Sequence, residues 1–355
     1  MAIIRIGIVG LGAVAQAHLK AFEMLDTVDI VSVCDIDRVR AEAVALTYGA
    51  IAYSDHRKLL EKGGVDLVLV LTPAASHRAV VEAVASAGIH VFCEKPLALS
   101  VADGEAMLSA CADASVKFFY GSSYRYLPAV AKAKEIIHQG AIGDVMLMSE
   151  QVVGGAGLDA YRELPPAHYP LGGPGGPGMG LVDHGVHLID IFSWFAESGI
   201  TSVTGRGQIS GRPARAEYMA MEFASGAVGS LVYNAATFSS ALPNEGMFSG
   251  GQGWLPDGSL SEAGHWENEP GSISVHGTKG TLRVFHYANK LFLRTAEGLR
   301  EIALSGRPAF GHFATQLEAC AGAILRDEEP AVGGHEAMRA LRALHRVYHL
   351  TEAKP

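Results

Sequence analysis

The first third of the chain alternates short apolar runs with stretches of helical period. Ile3–Val9 is Ile-rich without a polar alternation, the pattern of a strand buried on both faces. Similar runs fall at Ile30–Asp35, Ala50–Tyr53, Asp66–Leu71, His90–Cys93 and Val116–Tyr120. Between them the apolar spacing predicts helices at Ala13–Leu25, Arg38–Tyr48, around Leu59-Leu60, at Ala79–Ala87 and from Ser100 to Ala114. Ser100 reads as an N-cap, and Gly88 as a C-terminal stop. This rhythm predicts an α/β domain with a doubly wound parallel sheet.

Past residue 125 the rhythm changes. Helices are predicted at Pro128–His138 and Leu181–Phe195, and strands at Asp144–Val153, Thr201–Gln208, Glu217–Phe223, Val228–Ala235, Ser272–His276, Gly280–Phe285 and Lys290–Arg294. Two helices, Phe310–Leu325 and His335–His349, follow. Strands outside a strand–helix–strand repeat predict an α+β domain with an open, mainly antiparallel sheet. The expected division is 1–124 and 125–355, with the final helix placed to pack back on the first domain. Two Gly-rich intervals, 154–178 and 237–271, are long for a compact domain and read as lids or binding loops.

Composition narrows the partners. The 355 residues carry a formal charge of −9 and no Lys/Arg-rich run, which argues against a nucleic-acid or anionic-membrane surface. No apolar run reaches the ~20 residues that span a bilayer. The 4 cysteines have no CxxC spacing and read as reduced thiols. With a strand starting at the N-terminus and no leader pattern, a cytoplasmic location is expected.

Gly10-x-Gly12-x-x-Ala15 follows the first buried strand and opens a helix. Gly10 permits the tight turn, and Gly12 lets the backbone approach a pyrophosphate. Ala15 keeps helix and strand close. The helix N-terminus, with Ala13 and Val14, offers N–H groups to the phosphates. Asp35 ends the second strand 25 residues after Gly10, where it can take ribose hydroxyls. This is a Rossmann dinucleotide site. Asp35 favours NAD, because a 2′-phosphate would face a carboxylate; Arg38 and Arg40 nearby keep NADP open.

Three further motifs carry chemistry. Thr72-Pro73, with His77 beyond, ends the fourth strand; Glu94-Lys95-Pro96 ends the fifth. Ligands of open α/β sheets bind at such carboxyl ends. The third is Asp183-His184-Gly185-Val186-His187, in which Asp183 and His187 stand four apart on one expected helix face. Alcohol oxidation needs a base with a pKa near working pH, which suits histidine. It also gains from a cation beside the developing alkoxide, which suits Lys95.

With these motifs the chain resembles the glucose–fructose oxidoreductase, inositol dehydrogenase and rhizopine-catabolism (Gfo/Idh/MocA) family. The likeness includes VLVLTPAASHRAVVEAVASAGIHVFCEKPLALS, Tyr124-Arg125-Tyr126-Leu127-Pro128, Gly140-Ala141-Ile142-Gly143, the DxGxHxxD helix and Val275-His276-Gly277-Thr278-Lys279-Gly280. The resemblance implies a two-domain NAD(P)-dependent oxidoreductase acting on a secondary alcohol or ketone of a sugar, sugar derivative or cyclitol. It places Lys95, Asp183 and His187 as catalytic residues, with Asp183 either holding the His187 tautomer or binding a substrate hydroxyl. It places His77, Thr72, Pro73, Glu94, Lys95 and Pro96 beside the cofactor, with helix capping as the alternative for His77. It also implies that the Lys95–Pro96 bond is cis. The division of labour between Lys95 and His187 stays open. Alternative members are glycosidases working by transient sugar oxidation and dihydrodiol-type dehydrogenases. A non-catalytic dinucleotide-sensing regulator is a further alternative. A homodimer or homotetramer is expected, since an open sheet face wants cover.

Substrate contacts are expected from Tyr124, Arg125, His184, and from Tyr161, Arg162 and His168 in the first long interval. Tyr124 and Arg125 could instead hold the hinge, and His184 could be structural. The second interval carries Phe248, Trp254, His265 and Trp266, whose rings suit sugar or aryl faces by apolar contact or else make a subunit contact. Fifteen histidines raise zinc as a candidate. His184 and His187 lack a Cys or second carboxylate nearby in sequence, so no metal is expected. Trp254→Ala and Trp266→Ala are expected to raise KM for the substrate; unchanged steady-state kinetics in both variants removes the stacking role.

Overall fold

Unalternated apolar runs become the middle of a parallel sheet. The computed structural model describes residues 3–155, 180–207, 217–238, 272–286, 289–306 and 309–352. These divide into a first unit, residues 1–123 with 310–341, and a second, residues 124–309 with 342–355.

The first unit is built on six strands: β1 (Ile4–Val9), β2 (Val28–Cys34), β3 (Ile51–Tyr53), β4 (Leu67–Val70), β5 (His90–Cys93) and β6 (Phe118–Tyr120). Their order is β3-β2-β1-β4-β5-β6, and all pairs are parallel. The order reverses at β1 and β4, the switch point where open α/β sheets bind ligands. Every residue of β4 is buried, as a central strand covered on both faces requires. Helix α1 (Ala13–Phe22) buries Ala15, His18, Leu19 and Phe22, a 3.6-period stripe. Helices α2 (Arg38–Tyr48), α3 (His56–Lys62), α4 (Ala74–Ser86) and α5 (Val101–Asp113) complete the alternation. Asp37 caps α2, and Ser100 caps α5 by accepting the Asp103 N–H at 3.0 Å.

The second unit holds α6 (Pro128–His138), β7 (Val145–Gly155), α7 (Val186–Ala196), β8 (Ile200–Arg206), β9 (Glu217–Phe223) and β10 (Val228–Phe238). It continues with β11 (Ser272–Gly277), β12 (Gly280–Phe285), β13 (Lys290–Thr295) and β14 (Gly298–Glu301). The sheet runs β14-β13-β12-β11-β7-β10-β9-β8; β7 and β10 are parallel, and the other pairs are antiparallel. Buried and exposed residues alternate along β9, so one face is covered. Helices α6 and α7 pack on strands of this sheet and on each other. The last two helices are α8 (Gly311–Leu325), which packs on α1, and α9 (Gly334–Glu352), which is shared by the two units.

The helix expected over Leu181–Phe195, which carries the DxGxH motif, begins differently from expectation. Leu181–Gly185 is a π-helical turn, and regular α-helix starts only at Val186. No helix among the described residues is long and apolar enough to cross a membrane.

His312, at the start of α8, is buried, and burial together with nearby His18 pushes its pKa down to about 3. Below the ordinary histidine pKa of about 6.5 the unfolded chain binds a proton that the folded chain refuses. Stability therefore falls as pH drops from about 6.5 toward 3, by up to ~1.4 kcal/mol per pH unit for this residue. Urea unfolding at pH 7, 6 and 5 is expected to show this loss, and His312→Gln is expected to flatten it. Equal slopes in the two proteins would mean that His312 does not remain neutral in the fold.

Candidate active site

In the first unit the predicted residues gather at the carboxyl ends of β1, β2, β4 and β5. Gly10 sits at φ 93°, and a Cβ there would meet Leu71 and Thr72 backbone atoms at 2.8 Å, so glycine is required. At Gly12 a Cβ would meet nothing within 4 Å: the backbone faces open space. Gly12 also caps α1 without a side-chain bond, so Ala13 and Val14 begin a helix whose N-terminus is open to an anion.

Asp35 lies buried beside this turn. Its carboxylate accepts the Leu11 and Asp37 N–H groups, each at 2.8 Å, and Arg40 reaches it at 3.3 Å. Arg38 instead pairs with Glu42 on the surface, so the two arginines separate in role. The open glycine turn, uncapped helix and buried acid together fit a dinucleotide.

The structure ties the other two strand ends together through His77. Its Nε2 lies 2.7 Å from the Thr72 carbonyl, and Nδ1 lies 3.0 Å from the Leu97 carbonyl and 3.3 Å from Cys93 Sγ. Burial lowers the His77 pKa and raises that of Cys93, so the ring is neutral and the thiol keeps its proton. A neutral ring carries a single N–H, which donates to one of the two carbonyls, while the Cys93 thiol lies against Nδ1. His77 thus braces the two loops with its ring, and capping of α4 falls to Pro73, which has no side-chain donor or acceptor.

Glu94 also turns inward. Oε1 meets His18 Nε2 at 2.9 Å, and Oε2 accepts the Lys95 N–H at 2.9 Å. Gly121 presses on its back, where a Cβ would come 2.9 Å from Glu94 Cα. Lys95 itself is half-buried, and the bond to Pro96 is cis. The motif therefore divides into an anchoring acid and a presented lysine. His18 escaped the sequence reading; its only signal was a polar residue in the apolar phase of α1.

In the second unit His187 is buried, with Tyr124 stacked on its ring at 3.9 Å and 5°. Asp183 is exposed. The intervening π-helical turn has more residues per turn than an α-helix, so a four-residue spacing no longer returns to the same face. Arg125 is taken up by Asp190: Nε donates at 2.7 Å, a second bond joins Nη2 to Oδ1, and the guanidinium lies 5.0 Å over the Trp194 ring. Of the Tyr124-Arg125 pair, then, the tyrosine faces the histidines and the arginine fastens the turn to α7.

His184 meets residues that sequence spacing could not show. Its Nε2 lies 2.9 Å from Glu150 Oε2, and His286 Nε2 lies 3.4 Å from Glu150 Oε1. All three are buried. Burial raises the Glu150 pKa but the two histidines outweigh it, leaving the carboxyl below its ordinary value; burial pushes His286 down to about 4. Tyr124 lies beside both histidines, 5.9 Å from His184 and 5.8 Å from His286 between centroids. Glu217 starts β9 and accepts the Leu181 N–H at 3.0 Å, holding the head of the π-helical turn. Tyr161, Arg162, His168, Phe248, Trp254, His265 and Trp266 lie outside the described residues.

Residues 4–122 match the model described as the oxidoreductase family with NAD-binding Rossmann fold, and residues 130–283 match the GFO/IDH/MocA C-terminal domain. The chain belongs to the Gfo/Idh/MocA family. A scyllo-inositol 2-dehydrogenase (NAD(+)) of Bacillus subtilis is 31% identical over 64% of the chain and 66% of its own length. A D-apiose dehydrogenase of Paraburkholderia graminis is 36% identical over 38% of the chain and 36% of its own length. The matches thus span between about a third and two thirds of these relatives. The aldose-aldose oxidoreductase of Caulobacter crescentus, solved with glycerol, has a TM-score of 0.77 at 21% identity, covering 99% of this chain and 98% of its own.

Asp190→Asn leaves a buried guanidinium with half its partner and is expected to cost ~3–5 kcal/mol in urea unfolding. Arg125→Met combined with Asp190→Leu is expected to restore most of that stability. A single variant as stable as wild type would remove the fastening role.

Proposed function

We propose that the protein transfers hydride between NAD and a secondary alcohol or ketone of a sugar, sugar derivative or cyclitol. The carrying observation is His187, a buried imidazole held face to face on Tyr124 in the DxGxH helix of a dehydrogenase family. The relatives named as inositol and apiose dehydrogenases support the substrate class. Bound nicotinamide supplies the hydride acceptor or donor.

The chain's residues do the rest. His187 takes the hydroxyl proton during oxidation and returns it during reduction, a role suited to imidazole. Tyr124 fixes the plane of that ring. Lys95 stabilises the negative charge that grows on the reacting oxygen. Asp183, on the exposed side of the π-helical turn, binds a substrate hydroxyl. Asp35 takes ribose hydroxyls, and its buried carboxylate disfavours a 2′-phosphate. The homo-oligomer is proposed on Leu147, Tyr218 and Val228, which share the less covered face of the second sheet and stay more than a third exposed.

His187→Ala and Lys95→Ala are each expected to lower kcat by ~10²–10⁴ with intact NAD binding. A panel of sugars and inositols with either cofactor supplies the assay. Full cofactor-dependent turnover in both variants would overturn the reading. Asp35→Ser is expected to narrow the preference for NAD over NADP, as read from the two kcat/KM values.

A further inference from the structure

The trio Glu150, His184 and His286 has no part in the hydride transfer proposed above. Three separate segments deliver it. Glu150 lies in the inward phase of β7, beside Leu231 of β10 and Ile273 of β11, where alternation calls for an apolar side chain. His286 directly follows β12 in the inward phase set by Leu282 and Val284. His184 comes from the π-helical turn.

An acid on the apolar face of a sheet is costly without compensation. Here the two imidazoles address different oxygens of one carboxylate, and one donor atom from each residue lies within 4.8 Å of the others. Two imidazole nitrogens and one carboxylate oxygen form the donor set of many catalytic zinc sites, which keep a further position for water or substrate. A tetrahedral ion of this kind sets its donors roughly 3.4 Å apart. The 2.9 and 3.4 Å separations run to the two different oxygens of the Glu150 carboxylate, and a set with one donor atom from each residue closes within 4.8 Å.

We infer that Glu150, His184 and His286 form a binding site for a divalent transition-metal ion of the zinc class. His184 and His286 both lie against the ring of Tyr124, on which His187 is stacked. An ion there would stand beside the residue assigned to proton transfer and could hold an oxygen of the substrate. The inference stands apart from hydride transfer, because its test reads metal and not turnover.

The full-length protein is stripped with chelator, then titrated with Zn²⁺ by calorimetry and with Co²⁺ by visible absorption. One ion per chain is expected, with a Co²⁺ spectrum of low coordination number and a rise in Tm on zinc addition. Glu150→Gln and His286→Gln are each expected to weaken uptake at least ~100-fold, while the exposed His335→Ala leaves it unchanged. Circular dichroism checks that each variant folds. X-ray absorption of the wild-type zinc complex is expected to show two imidazoles and oxygen, which carries the test should a variant unfold. Absence of stoichiometric uptake by the wild type overturns the inference. So does undiminished uptake in a folded Glu150→Gln variant, or sulfur or all-oxygen ligation. If metal binds while Lys95→Ala and His187→Ala retain full turnover, the metal site stands and the proposed hydride chemistry falls.

Discussion

A carboxylate taken out of water loses several kcal/mol of hydration, and the protein must answer it with donors. Among the described residues five acids are buried: Asp35, Glu94, Glu150, Asp190 and Glu217. Each sits where a chain segment has to be held. Asp35 draws in the glycine turn, and Glu94 anchors the loop that presents Lys95. Asp190 fastens the turn bearing Tyr124, and Glu217 grips the head of the π-helical turn. Glu150 collects two histidines. The site is thus positioned by desolvated charge, with apolar packing as its background. Directional bonds to a buried acid specify where a loop goes; apolar contact alone does so less sharply.

This division explains which features were legible in the sequence. Periodicity found both sheets, because β4 and β9 announce themselves by full burial and by strict alternation. It missed β14, whose four residues are all exposed and carry no pattern. Gly10, Gly12 and Asp35 were readable because a local turn and the strand after it impose them. The inward turns of Glu94 and His77 were not, since both depend on partners from other elements. The π-helical turn was invisible to a reading that assumes 3.6 residues per turn. The trio around Glu150 spans residues 150 to 286, beyond any local spacing rule. Its one sequence signal was an acid in the apolar phase of a strand.

The histidines illustrate how burial sorts one residue type into several roles. His77 is a neutral brace, fixed by carbonyls and a thiol. His18 answers a carboxylate in the first unit. His187 is held by ring stacking on Tyr124 and is the residue proposed to move a proton. His184 and His286 converge on a single acid. Counting histidines could not separate these cases; their neighbours do.

The first unit is discontinuous in the chain, taking in residues 310–341 after an excursion of nearly two hundred residues. Gln316 of α8 donates to the Tyr120 carbonyl at 2.9 Å, and Val332 accepts the Tyr120 N–H at 3.0 Å, so the edge of β6 is finished by late sequence. On the ribosome the nucleotide-binding fold therefore cannot close when its own six strands have emerged. The nascent chain must wait with α1 and β6 uncovered until the second unit has been synthesised. An early fragment cut at the apparent domain boundary would carry the same exposed surfaces.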